Sequence, residues 1–220
     1  MITVKVVSDV ICPWCYIGKR RLEAALRELP PNKKVSVSWH PFQLNPDMPS
    51  TGMNRMEYCT RKFGSWERCE EMFVQISSVG KTVGINFRFD RQQAVPNTFL
   101  AHRVIWLAGQ EGVQDAVAEA LFRAYFCEGV DLSNHSQLLN VCGAAGLMRR
   151  KLEALLNSDE GTLQVQAEEH EIKTLGISAV PLFIIDDCVA VSGAQPPHAL
   201  LDAFEQARQV KRKQRSTATV

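Results

Sequence analysis

An excess of charge of either sign is what this 220-residue sequence most plainly lacks. It carries 25 Lys and Arg against 24 Asp and Glu, a formal charge of +1. So even a balance gives no electrostatic reason to expect nucleic acid or an anionic membrane as partner. Long apolar runs are missing as well, and without a stretch of about 18 such residues no membrane span is expected. Met1 is followed directly by Ile2-Thr3-Val4-Lys5-Val6-Val7, which alternates like a strand, and no leader with a basic segment and cleavage site precedes it. A soluble, cytoplasmic protein is expected. Internal repeats and low-complexity segments are absent too. The composition that remains, 45% hydrophobic and 22% charged, suffices for a buried core and excludes a disordered chain. The basic run Lys211-Arg212-Lys213-Gln214-Arg215 is short and reads as a solvated terminus spanning 211–220.

The seven cysteines are Cys12, Cys15, Cys59, Cys69, Cys127, Cys142 and Cys188. An odd number scattered over a chain this long does not describe a secreted disulfide scaffold. Most of them read as small buried apolar side chains. Cys59 and Cys69 flank Gly64 and could pair if their helices face each other, with free thiols the preferred reading.

Periodicity divides the chain in three. Val4 to Ser8 is a strand; a helical stretch opens at Cys12-Pro13 and stops at Pro30-Pro31; Val35, Val37 and Trp39 then alternate with polar residues as a second strand. Strand, helix, strand is a βαβ unit with a parallel sheet. From about Asn54 to Asn157 the pattern is helical, punctuated by Gly and Pro, with Ile85 to Phe89 as one candidate extended piece. Beyond Gly161 a helix, an apolar strand at Leu182–Ile185, a turn at Asp186-Asp187, an antiparallel strand and a final helix to about Val210 are expected. The fold class is therefore α/β: a discontinuous domain, 1–50 and 160–210, interrupted by an all-helical domain, 51–159.

Cys12-Pro13-Trp14-Cys15 carries the chemistry. A cysteine at the N-cap of a helix faces free backbone N–H groups and the positive end of the helix dipole, which favour thiolate over thiol. A second cysteine three residues on lies one turn away and can resolve a mixed disulfide from within. Pro13 suits the first turn, where its missing N–H costs nothing. Trp14 reads as a surface platform for substrate. Lys19, Arg20 and Arg21, further along, read as solvated. Two plainer readings stand beside this one. Half of a zinc site would need a second Cys or His pair at similar spacing, and His40 and His102 stand alone. A chance pair of buried cysteines, within a redox-inert helical binding module, is the other. Val180-Pro181, ahead of an apolar strand, is where a thioredoxin-type fold has a cis peptide facing the cysteine pair. The Val180 backbone would then be open to β-type pairing with an extended substrate.

These stretches also resemble a known family. Ser8-Asp9-Val10-Ile11-Cys12-Pro13-Trp14-Cys15-Tyr16-Ile17-Gly18 is similar to the active-site segment of the DsbA-like thioredoxin superfamily, specifically its FrnE-type branch. His40-Pro41-Phe42-Gln43-Leu44-Asn45-Pro46, Pro96-Asn97-Thr98 with Ala101-His102-Arg103, Gly176 through Phe183, and Ser192-Gly193-Ala194-Gln195 follow in family order. The resemblance covers Val4 to about Ala207. It implies a thioredoxin-like fold interrupted by a helical insertion, with Cys12 as nucleophile, Cys15 as resolving cysteine, and Pro13, Trp14, Val180 and Pro181 facing substrate. The expected partners are protein or small-molecule disulfides and thiols, with no obligatory cofactor and no metal. Kappa-class glutathione transferases and 2-hydroxychromene-2-carboxylate isomerases share the architecture but typically carry serine at the position of Cys12. Glutathione-dependent isomerisation or transfer, with Asn97 and Gln195 as glutathione contacts, is the alternative.

Overall fold

The computed structural model describes residues 1–217. Its main sheet has four strands, in the order β2 (Val35–Pro41), β1 (Ile2–Ser8), β5 (Leu182–Ile185) and β6 (Val189–Ser192). β1 runs parallel to β2, Ile2 opposite Val35 and Ser8 opposite Pro41. α1 (Pro13–Glu28) is the crossover between them. It starts where Pro13 needs no N–H partner and stops where Leu29, forced out of helical geometry by Pro30, turns extended. β5 lies antiparallel to β1, and β6 antiparallel to β5. The turn between them places Asp186 and Asp187 at positive φ, 52° and 56°. Asp186 tolerates this because its carboxylate accepts from Thr3 N and Thr3 Oγ1 and pairs with Lys211.

Between β2 and the last third of the chain stands the helical insertion. It contains β3 (Met53–Asn54), α2 (Arg55–Phe63), α3 (Trp66–Thr82), β4 (Ala94–Val95), α4 (Phe99–Gln110), α5 (Gln114–Arg123), α6 (His135–Ala144) and α7 (Arg149–Leu156). Then α8 (Thr162–Thr174) leads back to β5. Two points depart from the sequence reading. Ile85 to Arg88 pairs with no strand: it is an irregular segment that buries Ile85 and Phe87 in the core and leads into a 3-10 turn at Phe89–Arg91. The short antiparallel β3–β4 pair was not anticipated, since two-residue strands leave no period to read.

α1 is shared by both halves. Ile17, Leu22 and Ala25 are buried among the sheet-side apolar residues. Its other side faces the insertion, where Tyr16 stacks on Phe122 at 5.2 Å between centroids. The expectation that Lys19, Arg20 and Arg21 are solvated is overturned. The Lys19 side chain is 3% exposed and ion-pairs with Glu23, with Asp115 at 3.1 Å and with Glu119 at 3.4 Å. Arg20 joins Glu23 to Glu119, and Arg21 donates to the Ala194 carbonyl. Three carboxylates, two of them contributed by α5, supply what a helical period cannot reveal. The last helix, α9 (Pro197–Thr217), also runs past Val210, and Lys211 is tied to Asp186 rather than free. Residues 218–220 of the expected basic tail lie outside the described residues.

Candidate active site

β1 ends at Ser8, and a turn closed by Cys12 N donating to Asp9 O at 3.0 Å delivers the chain to α1. Cys12 is the N-cap, with φ −89° and ψ 111°; its side chain makes no capping bond and is free to point elsewhere. It points across the sheet: Cys12 Sγ lies 3.8 Å from the Val180 carbonyl oxygen. The Val180–Pro181 peptide bond is cis. Cys15 lies one turn on, its thiol beside that of Cys12. Burial first, and then the neighbouring Cys12 thiol, hold the Cys15 thiol well above the ordinary cysteine range.

Thus Cys12, Cys15, Val180 and Pro181, up to 169 positions apart in sequence, meet at one place, with Trp14 on the surface beside them at 40% exposed. Cys12 and Cys15 themselves are only 4% and 1% exposed. Access to Cys12 comes through a cavity of about 380 Å³ that it lines together with Pro13, Trp14 and Val180. The opposite wall belongs to the insertion, chiefly Tyr58, Phe73, Phe89 and Phe126. A larger hollow of about 1130 Å³ lies near Met1, Lys34 and Arg212 and includes neither cysteine.

Behind the sulfurs the sequence hid a second layer. Asp9 is fully buried; its carboxylate accepts from Leu44 N at 2.7 Å and Ile11 N at 3.4 Å, and His102 Nε2 lies 3.6 Å away without a hydrogen-bond partner of its own. The Ser8 hydroxyl is buried without a hydrogen-bond partner and lowers the Cys15 thiol against the larger effect of burial. His102 is therefore a buried residue behind the site. Among the described residues no cluster of three or more His, Cys, Asp or Glu is arranged to hold a metal ion, and His40 bonds instead to Ser38 and Glu168.

The two residues expected to touch glutathione do not join this group. Asn97 is spent locally: its Nδ2 donates to Met48 O at 2.6 Å, and its Oδ1 accepts from Phe99 N at 2.9 Å and Gln43 Nε2 at 3.3 Å. Gln195 is exposed and donates to Ser192 O. Neither lines the Cys12 cavity. Cys59 does line it, with Cys69 behind in thiol–thiol contact, and both are free. Burial and that contact push the Cys69 thiol up to about 12.

The family model for the DSBA-like thioredoxin domain matches residues 3–205. The chain belongs to that family. Among solved structures, a probable DsbA oxidoreductase from Streptomyces coelicolor superposes with a TM-score of 0.88 at 30% identity, over 95% of this chain and 91% of that one. The uncharacterized protein YwbO of Bacillus subtilis is 28% identical over 205 residues, 93% of this chain and 94% of its own. The cytosolic disulfide reductase DsbM of Pseudomonas aeruginosa shares the fold, with a TM-score of 0.62 at 16% identity over 98% and 99% of the two chains. This DsbA-like protein is accordingly an enzyme of the thiol–disulfide oxidoreductase and isomerase class, built on a thioredoxin fold with a helical insertion. No helix among the described residues is long and apolar enough to cross a membrane.

Proposed function

We propose that the protein exchanges disulfides through the Cys12–Cys15 dithiol. Cys12 Sγ attacks one sulfur of a substrate disulfide, forms a mixed disulfide and releases the other sulfur as a thiolate. Cys15 Sγ then attacks the Cys12 sulfur, closing Cys12–Cys15 and releasing the second thiolate. The two electrons go to the substrate, and the two thiol protons end on its sulfurs. An external dithiol reverses the change and completes the cycle. The supporting observation is the contact of the Cys12 sulfur with the Val180 carbonyl at the mouth of a cavity. There an extended disulfide-bearing segment could pair with the Val180 backbone while presenting its sulfur. Trp14 and Pro13 form the outer lip. In the cytoplasm, the address read from the sequence, such a pair would run as reductant or isomerase. Glutathione enters this scheme as one possible thiol co-substrate and not as a bound cofactor. The test is dithiol-driven insulin reduction by wild type and Cys12→Ser: loss of the rate in the variant is expected, and equal rates would end this reading.

A further inference from the structure

We propose that the cavity beside Cys12 takes an aromatic organic anion, an apolar ring system bearing a carboxylate or sulfonate, and that Arg55 receives the anionic group. The proposal deepens the exchange reading by naming a substrate class for the same site, and it rests on that reading for its sulfur chemistry alone.

Arg55 opens α2 and lines the cavity, yet the residue is only 6% exposed. Its guanidinium lies over Phe73 at 4.3 Å and Phe89 at 5.3 Å from the ring centroids. One amino group donates to Gln92 Oε1, and Gln92 Nε2 donates in turn to Tyr125 O at 2.8 Å, which fixes the amide with its oxygen toward the arginine. Arg55 Nε is buried with no acceptor. No Asp or Glu ion-pairs with Arg55 among the described residues, and none lines the cavity, whereas Lys62 adds a second cation to its wall.

A guanidinium withdrawn from water without a counter-charge is unfavourable, and ring faces compensate it only in part. A carboxylate or sulfonate entering the cavity would supply the missing acceptors in the planar geometry a guanidinium prefers. The rest of such a ligand would meet Tyr58, Phe63, Phe73 and Phe126, surfaces suited to an aromatic body. Because Cys12 lines the same cavity, an aromatic disulfide or thiol held at Arg55 by its anionic end stands beside the attacking sulfur. Arg55 is thus a binding and specificity residue.

The experiment titrates wild type with anilinonaphthalene sulfonate and with phenylnaphthylamine, a matched dye lacking the sulfonate, by fluorescence. The expected result is anion binding about tenfold tighter or more, that preference being lost in Arg55→Met and partly kept in Arg55→Lys while the neutral dye binds all three alike. Equal affinity for the two dyes in wild type, or a preference untouched in Arg55→Met, overturns the proposal. Should Arg55→Met fail to fold, the wild-type comparison and Arg55→Lys decide it. A second arm measures attack of Cys12 on the anionic disulfide dithiobis(nitrobenzoate) and on uncharged dithiodipyridine, where the wild-type rate ratio should fall about tenfold in Arg55→Met and by less in Arg55→Lys. An intact dye preference with neither disulfide reacting sinks the exchange reading and leaves the binding site. Reaction of both disulfides without any dye preference sinks the binding site and leaves the exchange.

Discussion

Lys19→Met isolates the charge cluster that ties α1 to the insertion. The substitution keeps an unbranched side chain of similar length and deletes the ammonium. Removing one partner of a buried ion pair costs about 3–5 kcal/mol when it strands a charge away from water. Here the strain is relieved in two ways. Arg20 still pairs with Glu23 and Glu119, and Asp115, 57% exposed, keeps its bond from Trp39 Nε1 at 3.0 Å. The carboxylates left behind are also partly wet, so a loss of about 2 kcal/mol is expected at pH 7, or about 4–8 °C in Tm for a chain of this size. The pH dependence follows from the shifts. Desolvation raises the Glu23 carboxyl, but the bonds from Lys19 outweigh it and the net shift is downward. Glu23 therefore stabilises the fold above its unfolded value near 4.3, and that contribution disappears as pH falls through its lower folded value. Lys19 is opposed by desolvation and raised overall by Glu23 and Asp115, so its share persists until pH rises past about 10. Urea melts of wild type and Lys19→Met at pH 7 and pH 3.5 measure the difference without adding salt. A gap near 2 kcal/mol that shrinks in acid is expected. No gap at pH 7, or one indifferent to pH, would refute the view that these charges hold the two halves together.

Other outcomes follow from the site. With Cys15→Ser the second attack is lost, so a Cys12 mixed disulfide with substrate should accumulate to nearly one equivalent by mass spectrometry. In wild type, the raised Cys15 thiol means that resolution should quicken with pH from 7 to 9, by up to about tenfold per unit as the thiolate fraction grows. Gly18→Val would push into Phe183 and Pro181, which a Cβ there already meets at 3.0 and 3.1 Å; about 1–3 kcal/mol of stability and much of the insulin-reduction rate should go. Asp186→Ala removes the acceptor for Thr3 and Lys211 at a positive-φ position and should cost about 1–2 kcal/mol in a denaturant melt, with Asp186→Asn recovering part of it.

The sequence disclosed those parts of the site that local rules govern. A cysteine pair opening a helix after a strand, and a proline ahead of an apolar strand, announce themselves because backbone geometry restricts what can stand there. Parallel pairing of the first two strands was readable for the same reason. Arg55, Lys19 and Asp9 were not readable as they are. Charged side chains are assigned to solvent by default, and their burial depends on partners such as Gln92, Asp115 and the Leu44 N–H, 35 or more positions away. Asn97 and Gln195 lie apart from the cysteine pair, and a string does not show that the Asn97 amide already bonds to Met48, Phe99 and Gln43. The unpaired segment Ile85–Arg88 shows that alternating apolar residues alone do not say whether a stretch joins a sheet.

Placing the reactive sulfur inside an aromatic-walled recess, and not on a ridge, has a bearing on what the enzyme meets. If exchange runs at Cys12 as proposed, a disulfide locked in the body of a folded globule would not reach a sulfur that is 4% exposed. Small molecules, loose tails and unfolded segments would, and shape would sort the candidates before any electron moved.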